Sequence, residues 1–203
     1  MPAAPEKSTP RQRLLDAACR LFYEHGITAT GIDKVLAEAG VAKMTLYNAF
    51  GSKDGLVLEY LRHRYGGFVP ALRSTLEARQ TGAAHRILGV FEVLEEWFQD
   101  PGFRGCPLLN TAIEVSDANH PARESAASLV NEFRGYLEEL CREAGAQEAE
   151  VLAEQLCVLA YGAIAWSQVT RNPSSARNSG AIAQTLLREC GILPSDRTEE
   201  PNS

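Results

Sequence analysis

Lys43, Thr45, Tyr47 and Asn48 place an ammonium, a hydroxyl, a phenol and a carboxamide in one short stretch, and Lys53 follows soon after. Groups of this kind meet phosphate oxygens and the edges of nucleic-acid bases. Their spacing decides where they point. Leu46 and Phe50 fall four apart and anchor a short helix inward, which leaves Lys43, Thr45, Tyr47 and Asn48 on its outer faces. Just before it, Ile32, Val35, Leu36 and Ala39 recur at helical intervals, so a helix runs into a tight turn at Gly40. Helix, glycine turn and short helix with polar and aromatic residues outward have the form of a helix-turn-helix reading head. A merely solvated helix face is the plain alternative. The position directly after a helix and turn favours contact with DNA.

The run Thr30-Gly31-Ile32 through Gly51-Ser52-Lys53, with Thr45-Leu46-Tyr47, Phe50 and Lys53 at its end, resembles the DNA-binding signature of TetR-type (TetR/AcrR) transcriptional regulators. The resemblance extends back to Leu14-Leu15-Asp16-Ala17-Ala18 and Phe22-Tyr23-Glu24-His25-Gly26, the family's first helix and its closing glycine, and covers about the first third of the chain. It implies a DNA-binding set of Thr30, Lys43, Met44, Thr45, Tyr47, Asn48 and Lys53. Within that set, Thr45, Tyr47 and Lys53 would hold phosphates. Lys43, Met44 and Asn48 would lie toward base edges, where lysine can read guanine and asparagine adenine. Gly31 departs from the hydroxyl residue often found at its position, which removes one phosphate contact.

Composition sets outer bounds. A chain of 203 residues with 45% hydrophobic content is ample for a sizeable core. Its first ten residues lack the apolar core of a signal peptide, and no window is read as approaching the roughly twenty apolar residues of a membrane span. Five cysteines without a Cys-x-x-Cys pair argue against a disulfide framework or a zinc site and fit a reducing cytoplasm. The net charge of −6 is unevenly divided: residues 1–66 carry +2, residues 67–203 carry −8, and all four lysines fall at or before Lys53. A mildly basic head on an acidic body suits phosphate contact at one end.

In chain order, residues 1–9 are expected as a disordered arm from which Lys7, with Arg11 and Arg13 beyond it, can brush a DNA backbone. Thr9 caps the first helix with Pro10 at its first position, and Leu14, Leu15, Ala18, Leu21 and Phe22 form its apolar stripe. Thr30 is expected to cap the second helix and Ser52 the fourth, with Asp54 near the positive end of the latter. Gly66-Gly67 and Pro70 predict a bend or break before Leu72–Arg79. Helices are then expected over 83–99, 106–115, 121–144, 147–171 and 176–190. No strand candidate emerges. The reading is an all-α chain of about nine helices: a helix-turn-helix DNA-binding domain over 10–52, a helical regulatory and dimerisation domain over 53–193, and a disordered tail over 194–203.

The body offers weaker signals. Asp117, His120 and Glu124 have metal-like spacing, but Pro121 keeps them off one helix and makes loop closure and capping the better reading; no metal or cofactor is expected. Segment 104–121 resembles the ligand-domain segment of some TetR-type regulators, so its polar residues are structural or pocket-lining. Phe91, Trp97, Phe98, Phe103, Phe133 and Trp166 are core residues by default, yet with Cys106, Asn110 and Glu114 they are the candidate walls of a small-molecule site. Cys106 begins a helix, where a thiolate is favoured, although a buried inert thiol is the commoner outcome. No nucleophile–base pair or phosphate loop suggests an enzyme.

The expected protein is therefore a cytoplasmic homodimeric repressor, released from a palindromic operator by a small apolar effector, with no membrane partner. Control by a protein partner or by thiol oxidation at Cys106 is the alternative. Two apolar stripes, Val151, Leu152, Leu156, Leu159, Ala160, Ala163 and Ile164, then Ile182, Leu186, Leu187 and Cys190, resemble the segment through which such proteins dimerise. The effector is expected between residues about 87 and 168, shifting the helix that starts at Lys53, for which Gly66-Gly67 gives a place to bend.

Overall fold

The structure, a computed structural model, describes residues 8–194. Apart from Ser8, Thr9 and Pro194, the arm and tail expected at the two ends, Lys7 included, lie outside the described residues. All regular structure within them is helical: α1 Pro10–His25, α2 Ile32–Ala39, α3 Lys43–Phe50, α4 Lys53–Tyr65, α5 Phe68–Arg79, α6 Ala83–Phe98, α7 Pro107–Glu114, α8 Pro121–Glu143, α9 Ala149–Thr170 and α10 Ser174–Glu189. That makes ten helices, or nine if α4 and α5 are taken as one helix interrupted at Gly66-Gly67.

Packing divides the chain into two compact units. The first contains residues up to Phe68 together with Cys106–Val130, and the second contains Val69–Gly105 with residues from Asn131 onward. The boundary expected at residue 53 therefore does not follow packing. α4 buries Leu56, Val57, Tyr60 and Leu61 within the first unit, and Phe22 meets Tyr60 edge-on at 5.6 Å. α7 and the beginning of α8 also belong to that unit.

In the first unit, α1 presents Leu14, Leu15, Ala18, Leu21 and Phe22 to the core, all buried, as its stripe predicts. Thr9 caps it, its hydroxyl oxygen accepting from Gln12 N at 3.2 Å, and Ser52 caps α4 by accepting from Gly55 N at 3.0 Å. The cap expected at Thr30 is not formed. α2 begins after Gly31 with no side-chain cap, and the Thr30 hydroxyl turns inward to donate to Gly26 O at 2.7 Å. At α8 the cap is His120, whose Nδ1 accepts from Ala122 N at 3.1 Å, while Asp117 Oδ1 accepts from Asn119 N at 2.9 Å. Both residues thus do the loop-closing and capping work read from the sequence.

In the second unit, α10 packs on α6 and α9 around Ile87, Leu156 and Leu187. The reading that no stretch approaches a membrane span is corrected here. α9 has 22 residues and a window of mean hydropathy 1.3, enough by length and composition to cross one. Small residues explain the oversight: alanines and one glycine carry much of its apolar character without forming a run of large side chains. Leu152, Leu156, Ala160 and Ile164 are buried on one face of α9, as befits a core helix.

Candidate nucleic-acid interface

α2 ends at Gly40, which adopts the left-handed conformation (φ 63°, ψ 43°) and donates its N–H toward Ala37 O, while Val41 N bonds Leu36 O at 3.2 Å. Any side chain here would be strained, so glycine fixes the turn that aims α3. Inside the turn, Leu46 is fully buried and pins α3 to the core. Opposite it, Lys43, Met44, Tyr47 and Asn48 are exposed, Met44 at 65% and Tyr47 at 41%, and Thr45 is half-buried. A large apolar residue left open on a two-turn helix next to a lysine, a phenol and an amide is a surface shaped for a partner.

Both helices of the helix-turn-helix lack side-chain caps, at Gly31 before α2 and at Ala42 before α3. Their leading N–H groups are left to solvent or to phosphate oxygens, which the partial positive charge of a helix start attracts. The sequence reading missed this, although the signal was present: neither residue has an acceptor to offer.

The other residues assigned to DNA need sorting. Thr30 is fully buried and its hydroxyl is occupied at Gly26, so its side chain holds the α1–α2 loop and is not presented to DNA. Lys53 donates from Nζ to Ile27 O at 2.6 Å; an ammonium has three N–H bonds, so this one contact leaves donors for a phosphate. Arg11 is paired with Glu59 at 2.7 Å and lies over the Phe50 ring, and Arg13 donates to Ala39 O and Ser8 O. Those contacts brace the head, and each guanidinium keeps further N–H donors for the DNA backbone contact expected of it. An open groove of about 230 Å³ is lined by Arg13, Asp16, Arg20 and Glu38 with Ala17 and Ala39, and its Arg20 is paired with Glu38.

The expected effector-site residues do not form one group. Trp97, Phe98 and Phe103 cluster in the second unit, with Trp97 and Phe103 edge-on at 4.9 Å and Phe98 and Phe103 at 5.0 Å. Phe133 meets Tyr161 edge-on at 6.2 Å. Phe91 is buried beside Gly180, where an added Cβ would meet it at 3.2 Å. Trp166, expected on a cavity wall, is 63% exposed on the outer side of α9. Asn110 and Glu114 belong to α7 in the first unit, and the Glu114 carboxylate accepts from Thr28 N at 2.9 Å, so it is committed to the head's α1–α2 loop. Sequence reading overlooked Tyr136, one turn beyond Phe133: it is buried under the Arg73 guanidinium and its hydroxyl has no hydrogen-bond partner among the described residues.

Cys106 precedes α7, and N–H groups of Leu108 and Leu109 do favour its thiolate as a helix start should. Burial outweighs them and pushes the thiol above its ordinary range; the residue is 2% exposed, with the Tyr65 hydroxyl 3.6 Å from its sulfur.

Residues 14–60 match the family described as bacterial regulatory proteins, tetR family, and residues 83–181 match a tetracyclin repressor-like C-terminal domain. The chain is 27% identical over 182 residues to the HTH-type transcriptional regulator LmrA of Bacillus subtilis, spanning 88% of this chain and 96% of that protein. It is 32% identical over 146 residues to the HTH-type transcriptional repressor KstR2 of Rhodococcus jostii, spanning 68% of this chain and 60% of that one. A solved TetR-family transcriptional regulator from Streptomyces coelicolor aligns with a TM-score of 0.81 at 30% identity, over 89% of this chain and 95% of its own.

Proposed function

Because the chain belongs to the TetR family of bacterial regulatory proteins, and so is a DNA-binding transcriptional regulator, we propose that it is a cytoplasmic homodimeric repressor whose paired α3 helices read a near-palindromic operator. The observation that carries this reading is the outer face of α3, with Lys43, Met44, Tyr47 and Asn48 exposed over a fully buried Leu46. Lys43, Met44 and Asn48 face the bases; Thr45, Tyr47 and Lys53, with the uncapped N-termini of α2 and α3, hold phosphates. A relative named as a repressor supports the direction of control.

Dimerisation is supported by α9. Val151, Val158, Trp166 and Val169 are all exposed, between 50% and 83%, and recur along one side of that helix. Exposed Ile182 adds to it on α10. A second copy related by a two-fold axis would cover this apolar stripe with its own. Trp166 then serves the dimer contact and no longer the effector site.

Release is assigned to a small, largely apolar effector held in the second unit, where Phe91, Trp97, Phe98, Phe103 and Phe133 supply apolar surface. The unpartnered Tyr136 hydroxyl would favour an effector that carries a hydrogen-bonding group. Thiol oxidation at Cys106 as the trigger loses ground, since burial keeps that thiol protonated and covered.

The phosphate assignment is tested by titrating duplex DNA at several salt concentrations. Tyr47→Ala and Lys53→Met should weaken binding to every sequence, and Lys53→Met should reduce the salt slope by about one unit. Wild-type affinity and slope in both variants would remove these residues from the interface.

A further inference from the structure

We infer that Tyr136 and Arg86 form a paired-donor site in the second unit that takes the uncharged carbonyl oxygen of a small, largely apolar ligand. This deepens the proposed effector and rests on that reading, by naming the group the effector presents. Two buried side-chain atoms among the described residues lack a hydrogen-bond partner, the Tyr136 hydroxyl and Arg86 Nε. Both belong to one corner of the unit, where the Arg86 charge acts on the Tyr136 hydroxyl. Buried donors are paired in all but a few places, and each one left over calls for an explanation. Two left over in the same corner, from different helices, point to one acceptor brought from outside.

α8 supplies the floor. Tyr136, Glu139 and Glu143 recur at intervals of three and four and so share one face of that helix. α5 lies on this face through Arg73, whose guanidinium sits 4.4 Å over the Tyr136 ring and is paired with Glu139. α6 reaches the same face through Arg86, whose Nη1 donates to Glu143 at 3.2 Å. α5 and α6 are themselves close, since a Cβ at Gly89 would come within 2.8 Å of Leu76 Cδ2. Tyr136 is 2% exposed beneath the first ion pair, whereas the Glu139 and Glu143 side chains stay more than half exposed at the rim. Exposed ion pairs contribute little to stability, so parting them admits a ligand at small cost.

Donors and charges decide what fits. Burial raises the Tyr136 phenol above its ordinary range, which keeps its proton in place. The Arg86 Nε–H can only donate. The pair therefore calls for one oxygen with two lone pairs. Glu139 and Glu143 are already engaged with Arg73 and Arg86. Two guanidinium charges stand against three carboxylates, those of Glu77, Glu139 and Glu143, which leaves the corner at −1. A carboxylate or phosphate is repelled there, and an ammonium meets two donors. A ketone, ester or amide carbonyl brings both lone pairs and no charge. Leu76 and Leu140, one turn from Arg73 and Tyr136 on their helices, are buried and make the adjoining surface apolar.

The test uses full-length protein with isotope-labelled arginine. Arg86→Lys identifies the Arg86 Nε–H signal by its loss and keeps a cation for Glu143. Heptan-2-one should shift that signal saturably, and heptanoate, of equal chain length, should need roughly tenfold more ligand or beyond. Tyr136→Phe removes the hydroxyl and keeps the ring under Arg73. It should raise the half-saturation concentration of heptan-2-one by roughly tenfold. It should also melt no lower than the wild type, because the lost hydroxyl had no partner. No saturable shift by heptan-2-one, an equal response to heptanoate, or wild-type ketone affinity in Tyr136→Phe overturns the site. A lower melting temperature in Tyr136→Phe overturns it too, by showing that the hydroxyl serves the fold through a trapped water. Those outcomes leave release by another effector standing. Saturation by heptan-2-one with undiminished binding to a duplex selected from random DNA upholds the donor pair and overturns effector release through it.

Discussion

Thr30 and Tyr47 show what a residue type tells and what it does not. Both bear hydroxyls, and both were assigned to DNA, but one is fully buried and the other is 41% exposed. The difference is set by the register of the turn after Gly26, which spacing along the chain does not reveal. Thr30→Val should therefore lower stability by about 1 kcal/mol, by leaving the Gly26 carbonyl without its donor, and leave the salt slope of DNA binding unchanged. Thermal melts and duplex titrations of that variant separate the two roles. The thiols make a second prediction. Burial raises the Cys141 thiol from its ordinary 9.0 to about 12, and those of Cys19 and Cys157 to about 11. The folded state then holds protons that the unfolded state releases above its own pKa near 9. Stability is fully present below pH 9 and should decline between about pH 9 and 12, which denaturant melts across that range will show. Thiol labelling of Cys106 should likewise require unfolding, since the residue is 2% exposed.

Helices were the most legible feature, because apolar residues at intervals of three and four need only the sequence to be seen. Observed bounds for α6, α7 and α8 fall within a residue of the expected ones at each end. Capping was legible where a hydroxyl preceded a helix directly, at Thr9 and Ser52, and misleading at Thr30, where Gly31 intervenes. What α7 touches was not legible at all: Glu114 meets Thr28 across 86 positions of sequence, and no local pattern signals that. α3 depends on a single fully buried anchor. Leu46→Ala should cost about 2–5 kcal/mol and loosen the recognition helix, measured as a lower melting temperature and weaker binding to every duplex.

The two compact units are discontinuous in sequence, so packing joins α4 and α7 to the first unit, whereas the expected division into DNA-binding and regulatory parts runs along the chain at residue 53. Assembly is the next level up. The exposed stripe on α9 should make the protein a dimer at micromolar concentration, and Val158→Asp should yield a species near the 22.1 kDa chain mass in sedimentation. Trp166 fluorescence should shift to shorter wavelength on dimerisation. Trp97, packed against Phe98 and Phe103, is left as the reporter of effector binding. Reading of DNA by α3 is the claim on which the rest depends, and selection from random duplexes tests it most directly. Wild-type protein should enrich a site with two-fold symmetry whose half-sites lie one or more helical turns apart. Lys43→Ala and Asn48→Ala should relax preference at separate positions within each half-site, each costing about 1–3 kcal/mol against the preferred base. Enrichment of no sequence, or of the same sequence with undiminished preference by both variants, would contradict it.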